Sequence, residues 1–288
     1  MTTKPIVVGT DGSPESIQAV KWAAREAHLR GAGLRIVSTA ELLPRMTAVP
    51  PLVGIETVAS VIRRNRDWAL TSAAKTAAEI SPEVLIDTDA LDGAPAQAVT
   101  DAGEGALMLV VGSRGGGAFA AMALGSVGRY AATHAHCPVV VVREETTAAR
   151  PQVVVGIRDP HDCAATLGFA VEEAALRNAS LIVVHTWQAP LMREQPDPGC
   201  DQDSALPPTA DEIQENVARQ LEQPLATWLA KYPGVTASVD VVHGHPGRVL
   251  AGLSARADLV VLGRHGTGRA VHAVLSHAHG PVAIVPSA

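Results

Sequence analysis

From position 112 the chain reads Gly112-Ser113-Arg114-Gly115, nine further residues, then Gly125-Ser126. Glycines leave no Cβ between backbone N–H groups and an approaching anion, so such a stretch suits an anion cradle. Ser126 adds a hydroxyl and Arg114 a positive charge. A helix starting at this point would add free N–H groups and the positive end of its dipole. A second constellation, Gly9-Thr10-Asp11-Gly12-Ser13, follows an apolar run near the N-terminus. Asp11 there is placed to accept hydrogen bonds from a base amine or a ribose hydroxyl. Glycines after a buried strand also serve simply to turn the chain, and that reading stands beside the first.

Both constellations need strands to end beside them. Short apolar runs at Pro5–Gly9, Leu34–Thr39, Glu83–Leu91, Ala106–Gly112 and Pro138–Val142 read as strands. Between them lie helical patterns: one opens at Ser13-Pro14-Glu15-Ser16, one runs from about Ile55 to Ile80, one starts at Asp92-Gly93-Ala94-Pro95 and one passes through Arg129. Alternating strand and helix implies a parallel sheet covered on both faces, with ligands at the carboxyl ends of the strands where strand order reverses. Gly9–Ser13 and Gly112–Ser126 are the loops at such a point.

The pattern then repeats. Ile6-Val7-Val8-Gly9 returns as Val153-Val154-Val155-Gly156, and Gly112 and Gly115 return as Gly263 and Gly266. His134-Ala135-His136-Cys137-Pro138-Val139 returns as His277-Ala278-His279-Gly280-Pro281-Val282, now at a shorter offset. The shift places a deletion of about eight residues between Gly268 and His277, where a second Gly-Ser pair would stand. Strands are expected near Val153–Ile157, Ser180–Thr186, Val235–Val242, Asp258–Gly263 and Val282–Val285. Helices are expected near His161–Arg177, Thr209–Lys231, Pro246–Ala255 and Gly268–His277. Residues 1–146 form a first domain and 151–288 a second, joined at Glu144–Pro151, while Pro190 to Pro208 reads as a long acidic excursion.

The 288 residues fit two domains of ordinary size. A net charge of −6 and the lack of a Lys/Arg-rich run argue against nucleic acid as a partner. Cys137, Cys163 and Cys200 are scattered, which suits a reducing compartment. No signal peptide and no membrane-length apolar run is visible, so the expectation is a cytoplasmic protein with no membrane partner.

Taken together these motifs resemble the universal stress protein family, in tandem. Its nucleotide-binding members carry Gly-x2-Gly-x9-Gly-Ser or -Thr, matched by Gly112, Gly115, Gly125 and Ser126. They also carry a first strand ending in Asp-Gly-Ser, matched by Asp11-Gly12-Ser13. The resemblance spans nearly the whole chain and implies two doubly wound α/β domains, each a five-stranded parallel sheet of order 3-2-1-4-5, related by a pseudo-two-fold. It implies ATP as the ligand, with magnesium an optional companion. Gly9, Thr10 and Asp11 would hold it from the first strand, and the backbone at Val37 and Ser38 would meet the adenine edge. Gly112, Ser113, Arg114, Gly115, Gly125, Ser126 and Val127 would surround ribose and phosphates. It also implies pairing of the final strands, read as apolar edges, across a two-fold; the two copies could make this pairing within one chain, and two chains could pair further, so a homodimer through edge strands is expected.

The second copy departs from the pattern, with Arg158 at the Asp11 position and no Gly-Ser pair. One ATP per chain, bound in the first domain, is therefore expected. Eight of the eleven histidines lie in the second copy, and His243, His245 and His265 follow strand ends. They read as solvated loop residues or, alternatively, as an anion or metal site, though no acidic ligand stands at fixed spacing. No general base is placed for catalysis. The chain therefore reads as an ATP-binding stress-response regulator rather than an enzyme. The alternative is a slow ATPase or a nucleotidyl-transfer enzyme.

Overall fold

A computed structural model of the chain describes residues 4–40, 55–113, 124–143, 150–188, 209–264 and 268–287. Val-rich runs without polar alternation have no face to offer water and become inner strands, while the polar-alternating runs 86–92 and 237–243 become outer strands, of one sheet in which the strands of each repeat run parallel. In the first repeat these are β1 (Ile6–Gly9), β2 (Leu34–Ala40), β3 (Ile86–Asp92), β4 (Met108–Gly112) and β5 (Val139–Val142). The second repeat supplies β6 (Gln152–Gly156), β7 (Ser180–Trp187), β8 (Ala237–His243), β9 (Leu259–Gly263) and β10 (Val282–Val285). The connecting helices are α1 (Pro14–Arg30), α2 (Ile55–Ile80), α3 (Pro95–Ala102), α4 (Ser126–His134), α5 (Ala164–Leu176), α6 (Ala210–Leu229), α7 (Pro246–Leu253) and α8 (Arg269–His277). No described helix is long and apolar enough to cross a membrane.

Helix α1 shows how the local signals act. Ser13 caps it by accepting a hydrogen bond from the Ser16 N–H, Pro14 takes the first helical position, and Gly31 ends it in the left-handed region at φ 58°. In the second repeat a 3-10 turn, Pro160–Asp162, precedes α5, so that helix starts later than its pattern suggests. Asp159 caps this turn through the His161 N–H.

Strand alternation sends Ile6 and Val8 to one face, where α1 and α2 pack, and Val7 to the other, where α3 and α4 pack. The second repeat places α5 and α6 on the face of α1, and α7 and α8 on the face of α4. Each repeat has the order 3-2-1-4-5, and the two join into one ten-stranded sheet, β3-β2-β1-β4-β5-β10-β9-β6-β7-β8. The join is antiparallel, with Val139 opposite Ile284 and Val141 opposite Val282.

This join is the expected pairing of the final strands between the two copies, and it revises the expectation of a homodimer through them. Strands 139–142 and 282–285 are interior, fully used by each other within one chain, so neither serves as an edge for a homodimer. Among the described strands the edges are β3 and β8. β3 carries Asp87, Asp89 and Asp92, and charge on an edge strand opposes the addition of another strand.

Behind the join, α1 and α5 share a buried ion network. Arg30 donates to Glu26 at 2.6 Å and, across the repeats, to Glu172 at 3.0 Å and to Glu173. Arg177, the C-cap of α5, donates back to Glu173 of that helix and crosses to Glu26. Arg30 also lies over the Phe169 ring, and Arg177 over the Trp22 ring. All three pairs, Glu26 with Glu173, Arg30 with Arg177 and Trp22 with Phe169, stand 147 positions apart, the offset of the duplication itself.

Candidate nucleotide site

Three strand ends and two helix starts, those of α1 and α4, meet at the top of the first repeat. The β1 ladder runs one residue past its end, because the Thr10 N–H donates to the Val37 carbonyl at 2.9 Å. Thr10 is buried and its hydroxyl lies 3.0 Å from that of Ser16 while accepting from the Gly12 N–H at 3.2 Å. The turn this makes needs Gly12, whose φ is +79°. Asp11 is exposed, and its Oδ1 accepts from the Ser13 N–H at 3.0 Å and the Ser13 hydroxyl at 2.5 Å. The carboxylate is thereby held above the first turn of α1.

On β2, Val37 and Ser38 are buried, and Val37 lies in register with Gly9. On β4, Val110 lies in register with Val8, so Gly112 comes level with Thr10. Gly112 has a packing reason of its own: a Cβ there would stand 2.9 Å from the backbone carbonyl group of Glu15. The strand end slides under α1 only because this residue has no side chain. Ser113 is buried; its N–H donates to Val142 and its carbonyl accepts from the Gly125 N–H at 2.8 Å. That last bond closes the glycine loop at its base.

Gly125 is the N-cap of α4 and no side-chain hydrogen bond caps the helix, so its first turn, Ser126 and Val127 included, presents backbone N–H groups. Ser126 is exposed and Val127 half-buried against the core. Gly9, Thr10, Asp11, Val37, Ser38, Gly112, Ser113, Gly125, Ser126 and Val127 thus gather at one end of the sheet, around the β1/β4 switch of strand order. Arg114 and Gly115 lie outside the described residues.

One neighbour was not anticipated from sequence. Trp68 of α2 packs on the open side of Gly12, with its ring 3.0 Å from where a Cβ would stand, yet it is 64% exposed. Its spacing in α2 marks it as one more apolar helical residue, and only the packing of α2 on α1 brings it to the site.

The second repeat shows the same frame with different contents. Ile157 N–H bonds to Val184 as Thr10 does to Val37, which puts Arg158 at the Asp11 position and His185 at that of Ser38. The His185 Nδ1 lies 3.0 Å from the Ile157 carbonyl oxygen, so an imidazole stands at the end of β6 where the first repeat has Ser38. The deletion falls elsewhere than the offsets suggested. α4 and α8 have nine residues each, and Gly268 caps α8 as Gly125 caps α4, though at φ +66°. The missing residues are therefore in the loop: eleven separate Ser113 from Gly125, and three separate Arg264 from Gly268. The glycine of the Gly-Ser pair survives as Gly268, and Arg269 replaces the serine.

Of the strand-end histidines, His243 packs edge-on against Trp187 at 4.7 Å between centroids, and the His245 ring accepts from the Gly247 N–H to cap α7. His265 lies outside the described residues. Among the described residues no three His, Cys, Asp or Glu side chains come together as metal ligands.

The family model described as "Universal stress protein family" matches residues 2–143 and again 150–286. A universal stress protein of Mycobacterium tuberculosis is 32% identical over 285 residues, covering 93% of this chain and 87% of its own length. One from Mycolicibacterium smegmatis is 32% identical over 269 residues, at 91% and 87%. Among solved structures, a universal stress protein from Archaeoglobus fulgidus superposes with a TM-score of 0.72 at 15% identity, covering 99% of each chain.

Proposed function

Given that the chain belongs to the universal stress protein family, we propose that it is a stress-response regulator that binds one ATP per chain in the first repeat. The observation that carries this reading is the Gly125 N–H···O Ser113 bond, which closes the glycine loop and sets the start of α4 beside the turn that holds Asp11. In this reading Asp11 and the ends of β1 and β2 receive the base and ribose. The first turn of α4 receives the phosphates, its N–H groups and dipole acting on the anion. Arg114 and Gly115 belong to the same loop and are assigned to the phosphate side by the motif; magnesium would accompany the phosphates.

The role proposed is binding rather than turnover, with occupancy altering how the protein meets its partners. Mass spectrometry of ligand released from purified protein, with calorimetry of ATP binding, tests it. One nucleotide per chain is the expected result, and protein that neither carries nor takes up an adenine nucleotide would refute it. Multiple-turnover ADP release would favour the slow ATPase instead.

A further inference from the structure

The second repeat contributes to the first repeat's helix α4. By strand register Arg264 stands where Ser113 stands: Gly112 pairs with Val142 and Gly263 with Val285, and the next N–H in each repeat bonds to that valine's carbonyl. The side chain of Arg264, however, leaves its own repeat. Its Nη1 donates to the Ala135 carbonyl at 2.6 Å, and Ala135 is the residue that ends α4. The antiparallel join of β5 and β10 makes this reach possible, since it sets the strand tops of one repeat beside the helix ends of the other. Arg143 makes a similar contact in the opposite direction, donating to the Leu275 and Ser276 carbonyls at 2.8 and 3.1 Å near the end of α8.

Arg143 lies on carbonyls of α8 itself and complements its dipole, whereas Arg264 grips the carbonyl of the extended C-cap residue and so pins the point where the chain leaves α4. α4 is a single nine-residue rod, and it is held at both ends: by Ser113 of its own repeat at the start and by Arg264 of the other repeat at the finish. We propose that Arg264 is a positioning residue for phosphate recognition in the first repeat. In this role Arg264 is a strut from the second repeat that sets the depth and tilt of α4, and hence the place of its N–H groups. The inference rests on the nucleotide reading above.

Calorimetry separates the two. ATP and adenosine are titrated into wild type, Arg264→Ala, Arg264→Gln, Arg264→Lys and Arg177→Ala, the last loosening the repeats on the opposite face of the sheet. Arg264→Ala is expected to weaken ATP binding roughly three- to tenfold while adenosine binding stays level, because α4 addresses only the phosphates. Arg264→Lys regains most of the loss, and Arg177→Ala leaves the ATP-to-adenosine ratio unchanged. If the alanine variant fails to fold, the glutamine variant gives the same readout. An unchanged ATP affinity, or an equal fall for ATP and adenosine, overturns the inference. A wild type that binds neither ligand refutes the nucleotide reading itself and takes the inference with it.

Discussion

Arg177 reaches across the boundary between the repeats to Glu26, and Arg30 reaches the other way to Glu173. The exchange is a cross-brace built from one helix used twice: an acid and a base four residues apart, each base shared between its own acid and its counterpart. Breaking such a buried network by removing one partner leaves an uncompensated charge. Arg177→Ala is expected to cost about 3–5 kcal/mol of stability. Denaturant unfolding of the purified variant checks this, and a loss below about 1 kcal/mol would mean the network is not buried as described.

The same network predicts a pH dependence. Three carboxylates, Glu26, Glu172 and Glu173, face the two guanidiniums of Arg30 and Arg177. Burial, then repulsion from Glu26, pushes the Glu173 carboxyl up to about 7, against the pull of Arg177 and Arg30. Burial also works against the charge on Arg30, but Glu173 and Glu26 outweigh it and its pKa is raised, so the arginine stays charged. A carboxyl whose pKa is higher in the folded state stabilises the fold fully below its unfolded pKa, and that contribution is lost as pH rises through about 7. Wild-type stability measured relative to Glu173→Gln should therefore decline between pH 5 and pH 8, by on the order of 2 kcal/mol. A flat difference would contradict the assignment.

Gly112→Ala tests the contact between β4 and α1. The new Cβ would meet the Glu15 backbone, which has no flexible end to give way. Overpacking of this kind costs about 1–3 kcal/mol, and the shift of α1 should also lower ATP affinity. Gly252→Ala is the control. It lies in α7 with nothing within 4 Å of its Cβ position, and should be neutral or gain up to about 1 kcal/mol.

Trp68 offers an optical readout. Its exposed indole rests on Gly12, next to the carboxylate assigned to base or ribose. ATP titration should change the intrinsic fluorescence of the wild type, and Trp68→Phe should remove most of that change. The other three tryptophans, Trp22, Trp187 and Trp228, make the variant necessary for attribution.

Restoring one residue should not restore the second site. Arg158→Asp recreates the charge of Asp11, but His185 still stands where the first repeat has Ser38 and only three residues remain between Arg264 and Gly268. Calorimetric stoichiometry should remain one ATP per chain. A value of two would show that Arg158 alone closes the second repeat.

The fold was legible because its signals are local. Val153-Val154-Val155 repeats Val7-Val8 closely enough to announce the duplication, and Pro14, Gly31 and Pro95 mark helix limits through backbone chemistry that any context preserves. The gathering of Gly9–Ser13 with Gly112 and Gly125 followed from strand order alone. What escaped was tertiary. An offset cannot say whether residues are missing from a loop or from the helix after it; the equal lengths of α4 and α8 decide that. The packing need at Gly112 depends on how α1 docks, and the crossings of Arg264 and Arg143 depend on the antiparallel join. The ion network was within reach, since Glu26 and Arg30 recur as Glu173 and Arg177 at the repeat offset, but charges four apart on a helix ordinarily read as a solvated face.

The pairing of β5 with β10 inside one chain also sets the assembly's dependence on dilution. Two separate copies joined at that place would part as their concentration fell. Tethered copies see each other at an effective concentration fixed by the linker, commonly in the millimolar range for short tethers. The ten-stranded sheet should therefore persist however scarce the protein becomes. A substitution in the second repeat, such as Arg158 or Arg264, also enters the assembly once instead of twice. One half can specialise as a support while the other keeps the features of a binding site, a division of labour closed to a symmetric pair.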